Sequence, residues 1–361
     1  MSNDVYERLA KILDTIPNGF TPVKDGTHLR LLEWIFTPEE AELATKMRLS
    51  GETIDEMTER LQLCQEDLLP LLETMAEKGQ IRGWDSSTGR RYALMPFAVG
   101  IYEEQLGRMD AEFALLVEEY FEKGCGAGLF DTEPPIFQVI PVNRAVSTEL
   151  EIYSYQVAED MIKNAKSWGV RECICKKQQA LLGNECKYPS TVCIMIAPKK
   201  EHAYDNDELT RPVTQEEALE ILQCAEESGL VHCSMNIQKG HNYICNCCTC
   251  CCAVLKGLTK LNQPYAFVKS DYFAHVNSNL CIACEACIER CQFKALSIPE
   301  NTCVVDLARC VGCGVCTLAC PKGALSLHLR NQDERGNRPE KLMDWMTRKA
   351  ISRGVDPSDL L

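Results

Sequence analysis

Eight cysteines toward the C-terminal end repeat one spacing: Cys281-x2-Cys284-x2-Cys287-x3-Cys291 and, 29 residues later, Cys310-x2-Cys313-x2-Cys316-x3-Cys320-Pro321. Three thiolates at three-residue steps let a tight loop wrap one side of an iron–sulfur cubane while backbone N–H groups point at its sulfides. The fourth thiolate must then come from elsewhere in the chain. Structural zinc is the competing chemistry. Zinc sites, however, pair two CxxC-like knuckles or mix in histidine, and a third cysteine at this spacing is surplus to that.

Ten more cysteines precede this repeat: Cys173-x-Cys175, Cys186, Cys193 and the dense run Cys245-Asn-Cys247-Cys248-Thr-Cys250-Cys251-Cys252. They exceed the needs of packing and are candidate ligands of a third centre. Read as a strand, Val170 to Cys175 turns Cys173 and Cys175 to one face. Arg171, Lys176 and Lys177 would offset thiolate charge there. Cys186 lies in the polar loop Gly183 to Pro189, a natural place for a ligand. Cys193, among Val192, Ile194, Met195 and Ile196, reads equally as ligand or small core residue. In the dense run an extended chain places Cys245 and Cys247 on one face, whereas a helix would gather Cys247, Cys248 and Cys251. A third iron–sulfur cluster, and with it a second extra one, competes here with a zinc or copper(I) thiolate patch. Cys64, Cys125, Cys224, Cys233 and Cys303 read as packing. His202, His232, His241 and His275 read as ordinary polar histidines, with His241 and His275 the two placed to act as unusual ligands.

The chain that positions these residues has 361 amino acids, enough for two or three domains. With 38 Lys+Arg against 52 Asp+Glu the net charge is -14, which repels phosphate backbones and anionic lipid. Nucleic acid and membrane are therefore poor partners. No apolar run approaches the roughly 18 residues of a membrane span, and Met1 to Ala10 is polar, so the expectation is a soluble cytoplasmic protein. In that compartment 23 cysteines imply metal rather than disulfides. Two of them, Cys64 and Cys125, fall before Cys173, so a cysteine-poor front precedes a cysteine-rich back.

The front reads as three helices and a hairpin. A first helix runs from Leu29 to Met47, broken at Thr37-Pro38. Thr53 caps a second, Ile54 to Leu61, and the third spans Gln65 to Lys78 and stops at Gly79. Gln80 to Trp84 and Arg90 to Leu94 flank a turn as two strands. Ala111 to Lys123 reads as a connecting helix, closed by the glycine-rich Gly124 to Gly128. Asp131 to Pro141, with three prolines, reads as a linker. Tyr153 to Lys166 has helical periodicity, and Thr191 to Ala197 is an apolar strand. Thr214 with Glu217 opens a helix that Gly229 ends, and Leu230 to Met235 returns as a strand. The fold class is thus α+β and multidomain. Residues 1–110 form one domain, 111–141 a helix and linker, 142–269 a cysteine-rich α+β domain, 270–330 the duplicated cysteine domain, and 331–361 a tail with a short helix around Trp345.

The duplicated run resembles the bacterial-type 2[4Fe-4S] ferredoxins. The resemblance implies that Cys281, Cys284, Cys287 and Cys320 hold one cluster, that Cys310, Cys313, Cys316 and Cys291 hold the other, and that Phe293 to Ile298 and Lys322 to Leu327 are cluster-covering strands. Gln292 departs from the family, which usually has the proline seen at Pro321. The whole back half resembles cysteine-rich 4Fe-4S dicluster proteins of strict anaerobes, in which a CxC strand and a CNCC-type run precede a ferredoxin pair. That likeness implies an anaerobic, multi-component redox system. The front resembles a winged helix-turn-helix domain. Its would-be recognition helix carries Glu66, Asp67, Glu73, Glu77 and Pro70, which argues against DNA binding.

No Walker A, GxGxxG after a strand, GxSxG or HExxH occurs. Without a flavin or nucleotide fingerprint, nothing here splits a hydride into single electrons. The expectation is an electron-transfer protein that passes single electrons through two [4Fe-4S] clusters, and a further one, from a soluble carrier to an acceptor oxidoreductase. The alternatives are a redox-sensing winged-helix regulator, or an oxidoreductase whose middle cluster reduces a substrate.

Overall fold

A computed structural model describes residues 2–124, 130–142, 145, 157–260, 263 and 265–358. The chain splits into two units, Met1–Glu133 with Met346–Leu361, and Pro134–Trp345.

The first unit begins with helix α1 (Ser2–Thr15), which the sequence reading passed over, and α2 (Thr27–Ile35). Helix α3 (Pro38–Ala44) starts afresh after α2 because Thr37 forms a capping box: its hydroxyl accepts the Glu40 N–H and the Glu40 carboxylate accepts the Thr37 N–H at 2.8 Å. Thr53 repeats the device with Glu56 to open α4 (Ile54–Leu61). Helix α5 (Gln65–Glu77) follows, with Pro70 inside it and Leu68, Leu72 and Met75 buried. Strands β2 (Ile81–Ser86) and β3 (Gly89–Leu94) form the expected hairpin, and the short β1 (Glu52–Thr53) pairs with β3. Helices α6 (Tyr102–Glu104) and α7 (Ala111–Lys123) complete the unit around a buried aromatic group of Phe20, Phe97 and Tyr120. The tail segment belonging to this unit is anchored by Arg353, whose guanidinium donates to the Asp14 carboxylate at 2.7 Å and to the Ile16 carbonyl.

The second unit is built on a seven-stranded sheet. Its strands are β4 (Phe137–Ile140), β5 (Ser167–Glu172), β6 (Thr191–Ala197), β7 (Arg211–Val213), β8 (Val231–Met235), β9 (Tyr243–Cys247) and β10 (Phe267–Val268), in the order β10-β4-β8-β9-β6-β5-β7. Only the β10–β4 pair is parallel. Here the sequence reading needs a correction: the stretch taken as a linker contains β4, a fully buried strand paired on both edges. Pro134, Pro135 and Pro141 lie outside the β-favouring Phe-Gln-Val-Ile and delimit the strand.

Helices α8 (Ala158–Lys163) and α10 (Gln215–Ser228) cover one face of this sheet, burying Ile194, Ile196 and Ile244. The helix expected from Tyr153 onward is seen as α8, and residues 153–156 lie outside the described ones. Thr214 caps α10 as expected, and Gly229 ends it in the left-handed conformation. Helices α9 (Ile174–Leu181) and α11 (Ala253–Thr259) complete this part.

Next come strands β11 (Tyr272–Val276), β12 (Leu296–Ser297), β13 (Val304–Val305) and β14 (Leu325–Leu329), with the short helices α12 (Ala286–Arg290) and α13 (Val315–Leu318). β11 pairs with β14, and β12 with β13. A buried Arg338 ties β4 to the start of β11: it donates to the Gln138 side chain at 2.7 Å and to the Asp271 carboxylate at 2.6 Å. Trp345, fully buried, donates its indole N–H to the Pro135 carbonyl. It sits in α14 (Leu342–Arg353), the tail helix the sequence reading expected. Among the described residues no helix is long and apolar enough to cross a membrane.

Candidate metal centres

The two copies of the cysteine run fold alike. Around Cys284 the backbone is left-handed at Ala283 and Glu285, and around Cys313 it is left-handed at Gly312 and Gly314. Lys294 and Gly323 form a third matched pair. Alternation of this kind turns successive N–H groups toward one point, the concave nest that anionic centres such as iron–sulfur clusters occupy. Gly312 has no alternative, because a Cβ there would lie 2.0 Å from the Tyr272 carbonyl oxygen.

Two cavities lie inside the loops. Cys281, Cys284, Cys287 and Cys320 line one, and Cys291, Cys310, Cys313 and Cys316 line the other. Burial, then the charges of Cys313, Cys291 and Cys310, raise the Cys316 thiol far above its ordinary value. Burial also raises Cys287, opposed by its contact with Cys303 and reinforced by the charges of Cys320 and Cys284. Four thiolates forced together repel one another, and a polycation at the centre removes that cost. Backbone donors reach the sulfurs symmetrically: Ala295 N–H to Cys291 at 3.4 Å, and Ala324 N–H to Cys320 at 3.2 Å.

Cys303, read from the sequence as packing, also lines the first cavity. Its sulfur is 3.7 Å from that of Cys287, and its N–H donates to Cys281. Nothing in its spacing marked it.

In the middle region the sequence reading of Cys173 and Cys175 needs correction. Strand β5 ends at Glu172. Cys173 caps helix α9, its carbonyl accepting the N–H groups of Lys176 and Lys177 at 3.0 Å. The helix formers Lys176 to Leu182 outweigh continuation of the strand. The two sulfurs still meet, through the turn of the helix rather than the pleat.

Along β9 the chain is extended, so Cys245 and Cys247 share the sheet face opposite α8 and α10. Register places Cys233 of β8 across from Cys245, and the Cys193 sulfur of β6 is 3.8 Å from that of Cys245. Cys175 touches Cys252, which touches Cys247. The result is a row of sulfurs, Cys173, Cys175, Cys252, Cys247, Cys245 and Cys193, with Cys233 against Cys247; Cys247 and Cys252 are buried and the other four half-buried. Contact with Cys233 chiefly, together with burial, pushes Cys247 up to about 12. The hydrogen bond with Cys245 lowers Cys193 despite burial, helped by the charges of Arg171 and Lys176. Cys233, read as packing, thus lies in this row.

Cys186, Cys248, Cys250 and Cys251 gather separately, all four sulfurs within 4.8 Å of one another. Lys176, 3% exposed, places its charge near Cys173, Cys193 and Cys248, on both sides of the division.

The remaining cysteines and histidines stand apart. Cys64 and Cys224, expected to pack, are exposed, and Cys125 lies outside the described residues. His232 pairs with Asn246, His241 with Ser234, and His275 stacks on His328 at 4.1 Å.

Residues 277–324 match the 4Fe-4S dicluster domain family, which defines this segment as a ferredoxin-like iron–sulfur module. Over 52 residues, 14% of this chain, it is 38% identical to an uncharacterized ferredoxin of Methanocaldococcus jannaschii. The match spans about a third of that relative's length (34%). No solved structure matches the chain. Together these findings support an iron–sulfur electron-transfer role.

Proposed function

We propose that this chain is a cytoplasmic electron-transfer protein that takes single electrons from a soluble carrier and passes them to an acceptor oxidoreductase. In this reading Cys281, Cys284, Cys287 and Cys320 hold one [4Fe-4S] cluster, and Cys310, Cys313, Cys316 and Cys291 hold the second. The observation that carries it is the sorting of these eight thiols into two cavities, each lined by three cysteines of one run and the last of the other. When bound, such clusters exchange one electron each. The chain holds the thiolates in place and directs N–H donors at their sulfurs, and these are levers that set a cluster's potential.

A further cluster belongs in this reading on the row Cys173, Cys175, Cys193, Cys245, Cys247 and Cys252. Their number and the buried Lys176 beside them suit a polynuclear anionic centre. The first unit acts as a docking module. Its order of helices and its three-stranded hairpin sheet support a winged helix-turn-helix likeness, and the acidic start of α5, Glu66 and Asp67, suits a basic protein surface better than DNA.

The test is iron and acid-labile sulfide per chain on anaerobically purified protein, with EPR of the dithionite-reduced form. More than about eight irons, with low-potential signals from coupled clusters, is the expected result. Fewer than about four irons with no reducible signal would overturn the electron-transfer reading.

A further inference from the structure

The thiols of the middle region do not form one field. The row runs sulfur to sulfur through six residues, whereas Cys186, Cys248, Cys250 and Cys251 each lie within 4.8 Å of the other three. Cys186 is 3.7 Å from Cys248 and 3.8 Å from Cys250, and Cys250 is 3.6 Å from Cys251. Cys248 contacts Cys251 and Cys250, and Cys186 contacts Cys251. Every pair is therefore near, all within 4.8 Å, as the four corners of one tetrahedral metal site would be. For one metal ion with metal–sulfur bonds of about 2.3 Å, the edge of that tetrahedron is about 3.8 Å. Disulfides are excluded by the same distances, since bonded sulfurs lie about 2.05 Å apart.

We propose that Cys186, Cys248, Cys250 and Cys251 hold one mononuclear divalent metal ion, zinc or ferrous iron, distinct from every iron–sulfur cluster of the chain. A tetrahedral set of four thiolates selects these metals. The loops that present it are fixed independently. Thr249, between two of the ligands, donates its N–H to the Gln292 side-chain oxygen at 2.8 Å, and Tyr188 packs with Cys186 against Cys248 and Cys251. Cys250 is exposed and Cys186 half-buried, so an ion reaches the site from solvent, while buried Cys248 and Cys251 anchor it. The charge of Lys176 near Cys248 offsets part of the excess negative charge of four thiolates around a divalent ion.

The experiment compares the full-length anaerobic protein with C186S and C250S. Metals are measured by elemental analysis, acid-labile sulfide in parallel, and intact mass under native conditions. Each variant should lose one metal ion per chain and no sulfide, with the reduced-cluster EPR unchanged. The lost ion identifies the metal: zinc is spectroscopically silent, and ferrous iron gives, on oxidation, a high-spin signal and visible thiolate charge-transfer bands. Either outcome supports a mononuclear site. Loss of about four irons together with as many sulfides would overturn it in favour of a cubane. Loss of no metal would overturn it altogether. Because Cys250 is exposed, C250S leaves the packing intact and keeps the test valid if C186S fails to fold. Failure here leaves the count of cluster iron, and with it the electron-transfer reading, untouched.

Discussion

Two regions of one unit treat cysteine in opposite ways. In residues 277–324 the cysteines fall in two local runs, and their thiols face one another across cavities and interact through charge. In residues 173–252 the thiols come from a helix cap, three sheet strands and two loops, and their sulfurs touch. The contrast shows what each arrangement requires. A loop of alternating left-handed residues is a self-contained nest that two short strands suffice to hold. A row of sulfurs drawn from β8, β9 and β6 exists only when the whole sheet is registered, since a one-residue slip of β9 would turn Cys245 and Cys247 to the opposite face.

The largest effect should follow from breaking the local side of this contrast. Cys313→Ala removes a ligand from one cavity, so about four irons and as many sulfides should leave with their reduced-state EPR signal. Retention of the full iron content would sink the two-cavity assignment. The exchange of Cys291 and Cys320 between cavities adds a sharper outcome. Cys320→Ala should damage the centre lined by the first run, Cys281 to Cys287, although it belongs to the second.

A smaller loss is expected on the non-local side. Cys245→Ser cuts the row near one end, between Cys193 and Cys247. It should remove whatever metal the row holds while leaving about eight irons in the C-terminal module. Loss of all iron would mean that the two regions do not load separately, and the comparison would fail.

The two regions also differed in how well the sequence announced them. The C-terminal module was legible because its chemistry depends on spacing along the chain. Helices α4 and α10 were legible because Thr53 and Thr214 are capping signals with local consequences. The sulfur row was half legible. The sequence left the dense run open between an extended chain and a helix, and strand β9 settles Cys245 and Cys247 onto one face. Cys173 and Cys175 were misread as strand because the apolar run from Val170 was carried on through them, where the helix formers that follow instead open α9 at Ile174. Cys233 and Cys303 carried no signal, since a lone cysteine in an apolar strand or loop looks the same whether it packs or faces other thiols.

Lys176 sharpens the comparison electrostatically. It is buried, and its charge acts on Cys173, Cys193 and Cys248. Lys176→Met removes a positive charge beside the anionic row, which disfavours the reduced, more negative state. The midpoint potential of the middle centre should fall on the order of tens of millivolts, while that of the C-terminal clusters should not move. Equal shifts in both would show that the two regions share one electrostatic environment.

The smallest effect concerns the residue that joins the regions. Gln292 follows Cys291 where the equivalent place in the second run is Pro321, a departure from the proline usual in the ferredoxin family. The structure gives it a use. Its side-chain oxygen accepts the Thr249 N–H at 2.8 Å, and its amide donates to the Gly229 carbonyl. Proline would make neither bond, so Gln292 trades the usual loop residue for a clasp between the module and the Cys248–Cys251 loop. Gln292→Pro should therefore leave all metal in place and cost about 1–3 kcal/mol of stability, the loss of two partly buried hydrogen bonds. It should also raise amide exchange at Thr249 selectively. Unchanged exchange there would mean that the loop is held by its own thiols and that the two regions meet without a specific link.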